Sequence, residues 1–239
     1  MPLDTLAELA DAASPPIALE EVQLLAPLAA PPQFIGVGLN YRDHAAESGL
    51  EVPIAPVTFA FLASSVADPG APIVLPRFSD KIDWEVELAI VIGSGGRDIP
   101  LDKALEGVAG YTIVNDVSAR DIQLQEGQWG RAKSFDSFKP MGPWITTVDE
   151  LGDAGAIDVR LWVNDVIKQE SNTRELIFDV PAIVSALSAA TTLLPGAVIS
   201  TGTPSGVGFA RKPPEYLQSG DTVTLEIDGI GRLSNPVVG

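Results

Sequence analysis

The chain has 239 residues, 46% of them hydrophobic, with 22 glycines, 20 prolines, a single histidine and no cysteine. That size and apolar content allow a large core and exclude a disordered chain, while the missing cysteines exclude disulfides, thiolate metal sites and thiol nucleophiles. A formal net charge of −17 leaves no basic stripe to offset phosphates, so neither nucleic acid nor an acidic membrane is expected as a partner.

The opening MPLDTLAELADAAS carries acids where a secretory leader carries basic residues. No signal peptide is read, and a cytoplasmic location is expected. Residues 1–33 are rich in alanine and proline and read as a leading arm; residues 34–239 read as the main domain. IGVGL (35–39) predicts a strand entering NYRDHAAES (40–48), which has helical spacing. PIVLP (72–76) and EVELAIVIG (85–93) predict strands, IPLDKALEGVAG (99–110) a short helix stopped by glycine, and YTIVND (111–116) a further strand. Residues 117–143 show few periodic signals and many polar groups, as in a long loop serving a site or an interface. VRLWVNDVIKQES (159–171) predicts a hairpin turning at Asn164-Asp165, and DVPAIVSALSAAT (179–191) a helix capped by Asp179 with Pro181 near its start. The chain closes with VISTGTP (198–204) and a hairpin, TVTLEIDGIGRLSNPV, turning at Asp228-Gly229. Residues 180–210 carry no charge, but Pro195, Gly196, Gly202 and Pro204 interrupt the run, which predicts buried core rather than a membrane span. Strands dominate without regular βαβ alternation or internal repeats, which gives a mixed, β-rich α+β class.

Familiar sites drop out quickly. GVGLNY and GVGFAR begin like a dinucleotide fingerprint, but Tyr41 and Arg211 stand where its third glycine belongs. There is no GxSxG elbow, and one histidine cannot build a zinc site from several imidazoles. Carboxylates remain. Glu85 and Glu87 leave the same face of a strand, and Asp116 ends another. Three hard oxygen ligands suit Mg²⁺, Mn²⁺ or Ca²⁺; an edge strand with its acids in water is the simpler alternative for such a pair alone. His44 and Glu47 are neighbours at i and i+3 of a helix, where a carboxylate can orient an imidazole to take a proton from water; a solvent-facing helix is the alternative. Arg120 offers a fork for a carboxylate and Lys133 a point charge for an enolate, against simple ion pairs with Asp121 or Asp136. STGTPSGVG (200–208) suits a turn presenting N–H groups and a hydroxyl to an anion, or an ordinary tight turn.

In chain order, GLNYRDHAAE, DWEVELAIVIG, NDVSARDIQ, AKSFDSFKPMGPW, TGTPSGVG and TLEIDGIGRLSNPV resemble the fumarylacetoacetate hydrolase family, in its short form made mainly of the catalytic domain, over residues 34–238. The resemblance implies a β-roll or barrel-like sandwich with a few short helices. It also implies a homodimer, for which the apolar 140s and the 117–143 segment offer an interface. It implies that Glu85, Glu87 and Asp116 hold Mg²⁺ or Mn²⁺, with Ca²⁺ also accommodated, and that His44 and Glu47 activate water on a lid ordered by substrate. Lys133 is then the lysine beside the metal, with Arg120, Gln123 and Thr203 near a small 2-oxo acid substrate. The implied reaction is hydrolysis of a C–C bond in a 2,4-dioxo acid of the acylpyruvate or fumarylpyruvate type, as in aromatic catabolism, giving pyruvate and a carboxylic acid. Oxaloacetate decarboxylation and 2-hydroxyhepta-2,4-diene-1,7-dioate isomerisation are the alternatives, since both pass through an enolate without an attacking water. A non-catalytic protein of this fold is expected to lose ligands or the lid histidine, and this chain retains them. One position departs from the pattern: Phe61 stands where short members commonly carry lysine. An aromatic ring for a cation predicts a substrate tail less charged than that of a dicarboxylate.

Overall fold

The computed structural model describes residues 17–239. The strands are β1 (Phe34–Gly38), β2 (Val57–Ala60), β3 (Val66–Ala67), β4 (Ile73–Val74), β5 (Ile82–Asp83), β6 (Val86–Ile92) and β7 (Val108–Asn115). They continue as β8 (Ser118–Ala119), β9 (Lys139–Thr147), β10 (Asp158–Val163), β11 (Val166–Asn172), β12 (Val198–Ser200), β13 (Thr222–Ile227) and β14 (Gly231–Val238). Short helices are α1 (Arg42–Ser48), α2 (Arg120–Glu126), α3 (Trp129–Ala132), α4 (Val148–Leu151) and α5 (Val180–Ser188). A seven-stranded mixed sheet has the order β2-β1-β12-β6-β7-β9-β3, and a five-stranded sheet the order β11-β10-β13-β14-β4. The β-rich mixed class and the barrel-like sandwich expected from sequence are both found, the larger sheet curling as a half-barrel.

β6 explains the two-core layout. Its strand alternation sends Val86, Leu88, Ile90 and Ile92 into the core shared with Val159 and Leu161 of β10 and Val223 and Leu225 of β13. The opposite face carries Ala89 into a second core with Phe34, Phe61, Val114, Met141 and Val198. Each such aliphatic side chain removed from water contributes about 1.5–3 kcal/mol, so slipping β6 by one residue would cost the whole row. Register therefore fixes the face that Glu87 shares with Ala89.

The predicted hairpins form. Asn164 and Asp165 take positive φ of 51° and 63°, as a two-residue turn requires, and Ile227 pairs with Gly231 across the second turn. Asp179 caps α5, its side chain accepting from the Ala182 N–H, with Pro181 in the first turn. The uncharged 180–210 run is α5, β12 and loop, and among the described residues no helix is long and apolar enough to cross a membrane. Leu101–Gly107 is a 3₁₀ helix rather than an α-helix.

One expectation needs correction. Residues 117–143 are not an extended loop; they hold β8, α2, α3 and the start of β9. Their helices lack an apolar stripe because they are short and face a cavity, so the usual periodicity is missing. The 140s largely fill an inner strand, with Met141 fully buried, and only Trp144 offers exposed ring surface there. Residues 1–16 of the leading arm lie outside the described part. Beyond them, Ala26 joins the second core and donates its N–H to Asp68 Oδ1 at 2.7 Å.

Candidate active site

Antiparallel pairing of β6 with β7 sets Val86 opposite Asn115, so the start of one strand meets the end of the other. Glu85 and Asp116, just outside the ladder, are joined by an Asp116 N–H to Glu85 carbonyl bond of 2.9 Å. Ligand oxygens of Glu85, Glu87 and Asp116 consequently lie within 4.8 Å of one another, all buried. β1 and β12 run parallel toward the same end. From there β1 delivers α1, and Asn40 bolts the junction down by donating to the Thr201 and Phe178 carbonyls at 2.8 and 3.1 Å.

The charges are unevenly shared. Arg120 Nη2 and Lys133 Nζ each donate to Glu85 at 2.6 Å, and Lys133 also reaches Asp116 Oδ2 at 2.7 Å. Burial works to raise the Glu85 pKa, but the attraction of Lys133 and Arg120 wins and lowers it to about 2. The same carboxylates overcome the burial penalty on Lys133 and hold its pKa above the ordinary value. Glu87 touches only neutral donors, the Ser200 hydroxyl at 2.5 Å and the Gly202 N–H at 3.0 Å. Burial first, then repulsion by Asp116 and Glu85, pushes its pKa well above the carboxylate range. A buried, mutually repelling oxygen triad with one member lacking a cation fits a hard divalent ion such as Mg²⁺ or Mn²⁺. Because the Lys133 ammonium bonds oxygens of two of these ligands, it competes with such an ion for them.

The 200–208 turn does present N–H groups to anions, as its composition predicts, but the anions are the protein's own. Gly208 and Phe209 donate to Asp83 at 2.7 and 3.1 Å, and Gly206 donates to both Glu47 oxygens at 3.0 Å. Gly206 has φ of +97°, and a Cβ there would stand 2.1 Å from the Lys168 carbonyl oxygen, so glycine is required. Held this way, Glu47 lies 3.6 Å from His44 Nδ1, a buried nitrogen with no hydrogen-bond partner. The pair sits on a helix pinned by Asp43, which accepts from Ser171 at 2.6 Å.

A cavity of about 280 Å³ joins these groups. His44, Glu85, Glu87, Asp116, Arg120, Gln123, Lys133 and Thr203 all line it, so every site residue expected from sequence except Glu47 meets it directly. Arg120 is braced by groups of the protein itself. Its Nε and Nη2 are taken by Asp83 and Glu85 and its Nη1 by Gln123, at 2.7, 2.6 and 2.9 Å, rather than by Asp121 or Asp136. These bonds brace Glu85 while Arg120 still lines the cavity. Thr203 donates to the Val86 carbonyl at 3.0 Å and accepts from Gln169 at 2.9 Å.

Sequence reading missed Asp83, fully buried beneath Arg120, although the i, i+2 spacing of Glu85 and Glu87 extends back to it. It also missed the apolar walls, chiefly Leu39, Leu50, Phe59, Leu124, Trp129 and Phe209. Gly38 admits Trp129 so closely that a Cβ there would stand 2.2 Å from the indole. Phe61 is not a wall. It is buried behind Phe59, at 5.1 Å between ring centroids.

Residues 33–238 match the family model described as fumarylacetoacetate (FAA) hydrolase C-terminal. The mitochondrial oxaloacetate tautomerase of Xenopus laevis is 45% identical over 219 residues, 91% of this chain and 69% of that protein. Among solved structures, the 2-hydroxyhepta-2,4-diene-1,7-dioate isomerase of Mycobacterium marinum is 44% identical with TM-score 0.81, covering 92% of this chain and 79% of that one. The fumarylacetoacetate hydrolase of psychrophilic Exiguobacterium antarcticum is 40% identical with TM-score 0.85, covering 98% and 87%.

Proposed function

This chain belongs to the fumarylacetoacetate hydrolase family, and from that premise we propose that it is an enolate-forming enzyme of small 2-oxo acids, moving a proton at the carbon beside the oxo group. The observation that carries this reading is one cavity in which three buried carboxylates, a buried lysine and a carboxylate-paired histidine converge. Glu85, Glu87 and Asp116 would hold a divalent ion, which supplies Lewis-acid polarisation of the oxo group and a template for the adjacent carboxylate. Lys133 supports negative charge developing on the oxo oxygen. His44 takes or returns the proton, and the Glu47 carboxylate, 3.6 Å from Nδ1, orients the ring. The names of the tautomerase and isomerase relatives support this ordering of possibilities over the hydrolysis expected from sequence.

C–C hydrolysis of a 2,4-dioxo acid remains the second reading, favoured by the His44–Glu47 pair, because only that reaction needs a base for water. His44 would deprotonate the water, which adds to the C4 carbonyl. The C3–C4 bond then breaks, its electrons forming the pyruvate enolate, and a proton completes pyruvate beside the new carboxylic acid. The walls favour an uncharged substrate tail, since both cations lining the cavity, Arg120 and Lys133, are already paired with carboxylates. A panel of oxaloacetate, hydroxy-dienedioates and acylpyruvates, with and without Mg²⁺, tests all of this. Keto–enol interconversion without bond cleavage supports the first reading; metal-dependent loss of acylpyruvate absorbance moves the assignment to hydrolysis. Clear preference for fumarylpyruvate over an alkyl acylpyruvate rejects the uncharged tail.

A further inference from the structure

Behind the carboxylates lies a cation that no part of this mechanism uses. Lys139, the first residue of β9, is fully buried. Its Nζ stands 2.7 Å from Asp116 Oδ1 and donates to the Val117 and Phe138 carbonyls at 3.1 and 2.9 Å. The Phe61 ring closes the remaining side, with its centroid 4.6 Å from Nζ. Lys139 does not line the cavity, so it meets no substrate. The other Asp116 oxygen, Oδ2, accepts from Lys133 Nζ at 2.7 Å, the same ammonium that donates to Glu85 Oε2.

We propose that Lys139 is a positioning residue that holds Asp116 as a one-oxygen ligand and thereby sets the site's preference for small over large divalent ions. The inference rests on the metal-binding reading of the triad. An ammonium ion-paired to Oδ1, itself held by two carbonyls, resists rotation of the carboxylate. Only Oδ2 is then presented forward. Mg²⁺ demands near-octahedral geometry and takes single oxygens, whereas Ca²⁺ readily accepts both oxygens of one carboxylate. A carboxylate prevented from chelating therefore disfavours the larger ion. The Phe61 contact also gives the aromatic residue at that position a physical role: its ring face covers the ammonium delivered from β9.

The test is calorimetric titration of metal-stripped protein with Mg²⁺ and, separately, Ca²⁺. In Lys139→Met, Mg²⁺ affinity should fall about tenfold or more, the usual effect of losing a group that orients a ligand, while Ca²⁺ affinity falls less or rises. Equal strengthening of both ions would show that Lys139 acts only as a repelling charge, and an unchanged ratio would show no role; either overturns the proposal. Phe61→Lys with Lys139→Ala returns an ammonium to the same space from β2's side and should restore the wild-type ratio; a folded double variant with the altered ratio also overturns it. Should these variants fail to fold, a crystal of the wild-type protein grown with Mn²⁺ decides: Asp116 bound through Oδ2 alone supports the proposal, and binding through both oxygens refutes it. Wild-type protein that takes up no divalent ion defeats the metal reading itself, whereas metal binding with an unmoved ratio defeats only the role of Lys139.

Discussion

Glu85 and Glu87 stand two residues apart, yet the halves of the cavity floor they occupy differ in kind. Glu85 is clamped between Arg120 and Lys133, each at 2.6 Å, and its pKa lies near 2. Glu87 receives only a hydroxyl and an amide N–H, and its pKa is raised by burial and by its neighbours. One half thus carries its counter-charges with it, and the other waits for one. On the proposed metal reading, a divalent ion would gain most from the Glu87 half, where no cation of the protein is bonded.

The sharpest way to break this contrast is to neutralise each acid in turn. Glu85→Gln takes one of two carboxylates from each of Arg120 and Lys133, which keep Asp83 and Asp116, and should cost up to about 3 kcal/mol of metal-free stability, read from urea denaturation. Glu87→Gln removes repulsion and should leave metal-free stability unchanged or higher. Both variants should lose the rise in melting temperature that a divalent ion gives the wild type, which is about 2.7 kcal/mol of stabilisation at one hundred times Kd. Equal destabilisation by the two substitutions would erase the distinction.

His44→Ala leaves both halves intact and removes the proposed proton carrier between them and the apolar walls. Turnover should fall by about 10²–10⁴-fold with metal affinity unchanged, measured by steady-state assay and titration. Gly38→Ala acts on the walls alone. Its Cβ would meet Trp129 at 2.2 Å, so a loss of about 1–3 kcal/mol from overpacking is expected, with a raised KM but metal binding retained.

In pH dependence the two acids have opposite signs. The folded pKa of Glu85, about 2, lies below its ordinary 4.5, so its contribution is present above 4.5 and is lost as pH falls toward 2. The Glu87 pKa is raised, so its contribution is full below 4.5 and is lost as pH rises through the folded value. Denaturation midpoints of metal-free protein across this range should therefore flatten on the acid side in Glu85→Gln and on the higher-pH side in Glu87→Gln.

Much of this was legible in the sequence, for identifiable reasons. β6 and the two hairpins carry strong local signals, alternation and turn residues, and each forms where those signals place it. The triad was legible because i, i+2 spacing fixes a shared face and because a strand end brings Asp116 alongside. What was hidden depends on long-range contact. Asp83 meets Arg120 across 37 residues, Gly206 meets Glu47 across 159, and neither pairing leaves a local pattern. Nothing local marks Lys139 within its polar stretch, and only the fold shows that it is fully buried behind Asp116. Phe61 carried a signal that pointed to the wrong surface, since the ring covers that lysine instead of lining the cavity.

The enolate can be sought without knowing the natural substrate, by following deuterium entry at the methyl carbon of pyruvate in heavy water by proton NMR. Wild-type protein loaded with Mg²⁺ is expected to exchange the methyl protons, and both chelation and Glu87→Gln are expected to stop it. Methyl protons that persist at the uncatalysed rate beside fully loaded wild-type protein would contradict a site built to form enolates.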